Sequence, residues 1–277
     1  MAWEHLEIEA AGDGVAVLWL NRPDKLNALH RPLWDHIPAA VAQLDADEAT
    51  RVIVLAGRGK AFCAGIDLVD HAPALAGGGS LSGRGESAVA RRRALYQDIQ
   101  RYQRTASCFE GTDKPVIAAV QGACLGAGMD LITACDIRIA SAEATFSVRE
   151  TRIAMVADVG VVQRLPRIVG DGVARDLILT ARDIDAARAL QVGLLTEVLP
   201  DPPALLARAR ELAGLIAAHS PLAVQGAKHV LNAATRAATH RGLDYVALWN
   251  SAFLHSDDLG EAVRSFVERR KPRFTGS

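Results

Sequence analysis

No stretch of this 277-residue chain approaches the roughly 20 consecutive apolar residues that a membrane span needs. The opening residues, MAWEHLEIEA, also lack the basic and then apolar pattern of a secretory leader. The expectation is a protein that neither crosses nor binds a membrane. Four cysteines, at 63, 108, 124 and 135, form no CxxC pair and have no matched set of histidines. The eight histidines show no HExxH or comparable spacing. Reduced, mostly buried thiols and no bound metal are therefore expected. The formal net charge is −1 and there is no clustered basic stripe, which excludes nucleic acid as the main partner, since phosphate neutralisation needs locally concentrated Lys and Arg. A small anionic ligand remains compatible with this balance.

What is present is apolar surface: half of the residues are hydrophobic, enough for one large domain or a domain with an appendage. Short apolar segments predict strands at residues 6–9, 15–20 and 52–55, with a helix over 31–44 between the second and third. Lys114-Pro115 introduces another strand at 116–120, and a helix over 128–134 leads to a strand at 136–140. Repeated strand and helix units predict an α/β core. The segment from His71 to Glu86 loses periodicity and gathers Gly and Ser, which predicts an irregular loop that shapes or gates a site. Beyond Pro200 the pattern is helical, over 202–218, 221–238 and 242–255, and the basic end ERRKPRFTGS reads as a frayed terminus. The division expected is residues 1–200 as core and 201–277 as a helical layer.

The most informative run is QGACLGAGMDLITACDIRIA, residues 121–140, followed by Glu150 and Asp158. Gly126-Ala127-Gly128 opens a buried helix, and Asp130, Glu150 and Asp158 lie among Leu, Ile, Val and Ala at offsets of twenty and then eight residues. Acids in apolar surroundings cost free energy unless paired, hydrogen-bonded or protonated, so the pattern points to function. Arg149 and Arg152 flank Glu150; on a continuing strand Arg152 would share its face and lower its pKa. Cys63 lacks a basic neighbour in sequence and reads as a buried structural thiol. Trp249 and Tyr245 read as core packing, with lining of an apolar pocket as the alternative.

Four stretches in register resemble the crotonase superfamily, the enoyl-CoA hydratase/isomerase fold. They are Asn21-Arg22-Pro23 with Asn27-Ala28-Leu29, AFCAGIDL at 61–68, GACLGAGMDL at 122–131, and DVGVVQRLPRIVG at 158–170. Within it, the acid spacing and the words TACDIRIA, ADVGVVQRLP and LDYVALWN are most similar to the Δ3,5-Δ2,4-dienoyl-CoA isomerases. The resemblance implies an α/β spiral of β-β-α units with a C-terminal helical trimerisation region, assembled as a trimer or hexamer. It implies an acyl-CoA substrate and no cofactor beyond the coenzyme A of that substrate. It places two backbone N–H donors for the thioester oxygen at Ile66 and Ala127. Around them it places substrate contacts at Ala64, Gly65, Ile66, Asp67, Leu68 and Gly128, with Lys25, Lys60 and Lys271 for coenzyme A phosphates.

The implied chemistry moves two conjugated double bonds along an acyl chain by removing a proton alpha to the thioester and returning one four carbons farther along. The enolate charge collects on the thioester oxygen, where backbone donors act. Glu150 and Asp158 are expected to be the base and acid, Glu150 at carbon 2 and Asp158 at carbon 6, with the reverse assignment open. Asp130 is expected to tune Glu150. If Asp130 instead positions a water, the reaction becomes hydration of a 2-enoyl thioester; a third reading is an acyl-CoA-binding protein without catalysis. Richness in alanine and arginine, without a targeting pattern, predicts a bacterial cytosol, and the final Thr-Gly-Ser is not a peroxisomal signal.

Overall fold

A computed structural model describes residues 3–75 and 87–277. In chain order it runs β1 (Leu6–Gly12), β2 (Val15–Leu20), α1 (Arg31–Ala46), β3 (Val52–Gly57), α2 (Leu68–Leu75), α3 (Ala88–Gly111), β4 (Val116–Val120), β5 (Ala123–Leu125), α4 (Ala127–Thr133), β6 (Ile137–Ser141) and β7 (Thr145–Ser147). It continues with α5 (Val161–Val169), α6 (Asp171–Thr180), β8 (Ile184–Asp185), α7 (Ala186–Gln191), β9 (Glu197–Leu199), α8 (Pro202–Ala217), α9 (Pro221–Phe253) and α10 (Asp257–Val267). Short 3₁₀ turns occupy Pro23–Lys25 and Glu150–Ile153.

A six-stranded sheet in the order β1-β2-β3-β4-β6-β9 forms the centre, antiparallel only at β1–β2, and β5-β7-β8 make a second, smaller sheet. The strands VAVLWL and VIVLAG are apolar at every position rather than alternating because both faces are covered. Side chains still divide by the two-residue period. Leu18, Leu20, Ile53, Leu55 and Ala118 join the core under α1 and α3, while Val17, Trp19, Val54 and Ile117 pack against Leu205, Ala209 and Ala213 of α8. Among the described residues no helix is long and apolar enough to cross a membrane.

Several expectations are corrected. The segments 221–238 and 242–255 are parts of one helix, α9, which ends at Phe253. Gly242 does not break it because α5 crosses there: a β-carbon on Gly242 would lie 2.7 Å from Gln163 Cγ. Gln163 Nε2 donates to the Gly242 carbonyl at 3.1 Å. His71 to Leu75 finish α2 instead of starting a loop, and the rest of that expected loop lies outside the described residues. The basic C-terminal segment is not frayed: Thr275 N and Gly276 N donate to Asp258 at 2.6 and 2.9 Å, and Arg270 pairs with Glu261. Tyr245 and Trp249 are 67% and 45% exposed, so neither is core, and neither lines the main cavity.

Candidate active site

Two chain reversals bring backbone donors together. Asn27, fully buried, receives Arg22 N at 2.8 Å on Oδ1 and donates through Nδ2 to the carbonyls of Arg58 and Ala61 at 3.0 and 2.8 Å. This ties the NRP and NAL segments to the loop entering Cys63. Residues 63–67 then run beside 26–29 and beside β5: Ala64 N donates to Leu26 O, Leu29 N to Gly65 O and Leu125 N to Cys63 O. Arg22 Nη1 meets Asp67 Oδ2 at 2.7 Å, and Asp67 Oδ1 accepts from Val69 N and Asp70 N at the start of α2. Burial pushes the Cys63 thiol up to about 12, which fits a structural role.

Gly65 and Gly126 are where these loops touch. A β-carbon on Gly65 would stand 2.9 Å from Leu125 O and 3.6 Å from Ala127 N, and Gly126, with φ of 52°, faces Glu150, whose Oε1 would lie 3.3 Å from a β-carbon there. Ala127 is the first residue of α4, so its N–H has no partner within the helix. Among the described residues, neither Ile66 N–H nor Ala127 N–H donates to a protein group. Both stand free to bind an oxygen.

A cavity of about 590 Å³ opens at this junction. Lys25, Ala64, Gly65, Ile66, Asp67, Leu68 and Ala127 line it, and so do all three acids, Asp130, Glu150 and Asp158. Gly128 stands behind the wall, packing α4 on Cys63, with a β-carbon there 2.8 Å from Cys63 O. Lys60, in the turn after β3, and Lys271, in the C-terminal segment, are exposed and lie outside the cavity lining.

The acids differ in surroundings. Asp130 is 1% exposed and its Oδ1 accepts from Val161 N at 2.6 Å, at the start of α5. Burial and then the nearby Glu150 charge hold its pKa well above the ordinary value, against the pull of that N–H. Glu150 begins a 3₁₀ turn, not a strand, and its Oε2 is sealed without a hydrogen-bond partner among the described residues. Burial pushes it up to about 7, and the Asp158 charge acts the same way. Asp158 is pushed up to about 6 by burial, opposed by Asn250, whose Nδ2 donates to Asp158 Oδ2 at 2.7 Å and to Val156 O at 2.8 Å. The expected threat to Glu150 from Arg152 is not realised: Arg149 and Arg152 pair with Asp183 at 2.8 and 3.4 Å.

Sequence reasoning missed Asn250 and Gln103. Gln103 Nε2 donates to Asp158 O and Leu243 O, both at 2.9 Å, joining α3 and α9 to the acid's backbone. LDYVALWN was noted only as a resemblance; Asn250 is its last residue. Replacing Asn250 with Leu removes the hydrogen bond that favours ionised Asp158, so the pH–rate limb governed by Asp158 should move upward from about 6. An unmoved limb would contradict this.

A second outcome concerns stability. Glu150 holds its proton more tightly in the fold than in the unfolded chain, from an ordinary 4.5 to about 7. Across that window the folded state binds more protons, so this contribution to stability falls as pH rises. Glu150→Gln, which has no proton to lose, should gain on wild type between pH 5 and 8, by on the order of 2 kcal/mol at the upper end. Urea unfolding at several pH values measures the gap; a constant gap would refute it.

The profile of the enoyl-CoA hydratase/isomerase family matches residues 10–277. The chain is 45% identical over 257 residues to a peroxisomal Δ(3,5)-Δ(2,4)-dienoyl-CoA isomerase of Arabidopsis thaliana, covering 93% of this chain and 91% of that one. It is 41% identical over 260 residues to a mitochondrial protein of the same description from Dictyostelium discoideum, covering 94% and 87%. A solved enoyl-CoA hydratase/isomerase from Pseudoalteromonas atlantica superposes with a TM-score of 0.83 at 26% identity, covering 98% of this chain and all of that one. The expectation of a bacterial cytosolic protein is overturned by the Arabidopsis and Dictyostelium relatives, which are peroxisomal and mitochondrial proteins of eukaryotes. Alanine and arginine content carries no address of the kind that sorting receptors read.

Proposed function

The chain belongs to the enoyl-CoA hydratase/isomerase family, and within it we infer that this protein is a Δ3,5-Δ2,4-dienoyl-CoA isomerase. The observation that carries this reading is the third acid. Asp158 shares the cavity with Glu150 and is positioned by Asn250, while Asp130 has one oxygen committed to Val161 N. Hydration would need Asp130 and Glu150 to hold a water between them. Proton transfer at two separated carbons needs Glu150 and Asp158.

The thioester oxygen accepts from Ile66 N–H and Ala127 N–H, and the positive end of α4 adds to the stabilisation of the trienolate. Ionised Glu150 removes the proton at carbon 2, and protonated Asp158 delivers one at carbon 6. The elevated values of about 7 and 6 suit a pair that shares one proton near neutral pH, and because the lower value belongs to Asp158 the reverse assignment, Asp158 as base and Glu150 as acid, stays open. Asp130, held by Val161 N and kept in its neutral form by burial and the Glu150 charge, tunes Glu150 as a buried polar neighbour. Coenzyme A enters as part of the substrate, with Lys25 at the cavity wall for its phosphates and Lys60 and Lys271 as surface contacts.

The chain assembles with copies of itself, as a trimer or hexamer. The exposed apolar residues Tyr245, Leu248, Trp249 and Phe253 on α9, with Phe266 and Val267 on α10, support residues 201–277 as the contact region, beside a core of residues 1–200. Turnover in D₂O tests the chemistry. The product of a 3,5-dienoyl-CoA should gain one deuterium at carbon 6 and no water. A product carrying added water would overturn the reading.

A further inference from the structure

Behind the cavity wall lies a buried ion pair that proton transfer does not use. Arg164, on α5, is 3% exposed, and its Nε and Nη2 donate to Glu110 Oε2 at 3.0 and 2.9 Å. Nη2 also donates to Ser107 Oγ at 2.9 Å, and Nη1 donates to the Val159 carbonyl at 3.3 Å. Ser107 and Glu110 belong to α3, whose end is tied to α9 by Asn232 Nδ2 donating to the Glu110 carbonyl at 2.9 Å. A buried ion pair is weak evidence of stabilisation, because withdrawing two charges from water costs about as much as their attraction offsets. What Arg164 grips points to a different role.

Residues 158–161 form the turn that enters α5, and two of the three acids depend on its path. Asp158 carries its own carboxyl to the cavity, and Val161 N donates to Asp130 Oδ1 at 2.6 Å. The carbonyls of the turn are held one after another. That of Asp158 accepts from Gln103, that of Val159 from Arg164 Nη1, and that of Gly160 from Gln163 N and Arg164 N at 3.1 and 3.0 Å. Gly160 has a φ of 134°, a backbone region that side chains rarely adopt, and a β-carbon on it would overlap Arg164 Nη1. The guanidinium therefore fills the space that a side chain at Gly160 would take and sets the course of the chain between Asp158 and Val161. Its planar fork reaches Val159, Ser107 and Glu110 together, which a single ammonium nitrogen on a flexible stem does not reproduce. Arg164 itself stands outside the cavity lining.

We propose that Arg164, braced by Glu110 and Ser107, is a positioning residue for the isomerisation: it fixes the turn 158–161 so that the Asp158 carboxyl and the Val161 N–H that holds Asp130 keep their places. The proposal rests on the isomerase reading above. Its test measures kcat and KM for a 3,5-dienoyl-CoA, together with thermal unfolding, in three variants. Arg164→Met keeps the bulk and removes the charge. Arg164→Lys keeps the charge beside Glu110 and removes the fork. Arg164→Met combined with Glu110→Leu removes both charges, so no buried carboxylate is left unpaired, a change that buried ion pairs commonly tolerate. Displacing a catalytic group by about 1 Å costs on the order of 10²-fold in rate, so kcat should fall by about that factor in each folded variant. KM should stay within a few-fold of wild type, because Arg164 does not line the cavity. A role in holding the fold alone makes the opposite forecast: the double variant would regain kcat along with its unfolding midpoint. If Arg164→Met does not fold, the lysine and double variants carry the same comparison. A kcat within a few-fold of wild type in Arg164→Lys or in the double variant, or a loss confined to KM, overturns the proposal. Failure of the wild type to turn over the 3,5-dienoyl-CoA would instead overturn the isomerase reading.

Discussion

Glu150→Gln and Asp158→Asn should each lower kcat for 3,5-dienoyl-CoA isomerisation by about 10²–10⁴-fold, the usual contribution of a positioned acid or base. Both substitutions preserve shape. The amide replacing the Asp158 carboxyl would still face Asn250, and the amide replacing the Glu150 carboxyl would fill the same space beside Gly126, so KM should change little. The double variant should be no worse than about tenfold below the weaker single one, because the two groups serve one transfer and neither is productive alone. Asp130→Asn should behave differently: its Oδ1 bond to Val161 N survives in the amide and the buried carboxyl it replaces is already held neutral, so the loss should be smaller and the Glu150 limb of the pH profile should stay in place. Steady-state kinetics across pH 5–9 separates these cases. Wild-type rates in either Glu150→Gln or Asp158→Asn would remove that residue from the mechanism.

Ala127→Pro should cost about 10²–10³-fold in kcat, the effect of deleting one donor to a developing oxyanion. The substitution is available because Ala127 is the first residue of α4, where proline's fixed φ suits the helix and its missing N–H breaks no helical bond. Gly126, at φ 52° and ψ −118°, is also far from the α region that a following proline disfavours. The control is Ala127→Gly, which keeps the N–H and should stay within a few-fold of wild type. Thermal unfolding of both variants shows whether the helix start is intact. Equal activity of the proline and glycine variants would remove Ala127 N–H from oxyanion binding.

How much of this was legible in the sequence depended on how local the determining contact is. The strands at 15–20, 52–55 and 116–120, and α1, follow from apolar runs with clear borders, and the three acids stood out because each lies among apolar neighbours. Asn250 did not stand out. It meets Asp158 across 92 residues of sequence, and nothing about an Asn near a helix end marks such a partner. The same holds for Asp183, which draws Arg149 and Arg152 away from Glu150 over 34 and 31 residues. The sequence pattern divides 221–238 from 242–255, with Gly242 opening the second segment, and glycine weakens isolated helices by about 1 kcal/mol. The helix continues there because Gln163 needs the space that a side chain would fill. Tyr245 and Trp249 share the helical spacing of core residues, but Leu243, Val246 and Ala247 take the buried face and leave them outside.

The central claim is that three carboxyls in one apolar cavity serve double-bond migration and not addition of water. The most direct measurement is an ultraviolet assay of one purified preparation on paired substrates of equal chain length, a 3,5-dienoyl-CoA and a 2-enoyl-CoA. The 2,4-dienoyl product, conjugated with the thioester carbonyl, should form with a much higher kcat/KM than that for loss of the 2-enoyl chromophore by hydration. Preferential hydration of the 2-enoyl-CoA would contradict it.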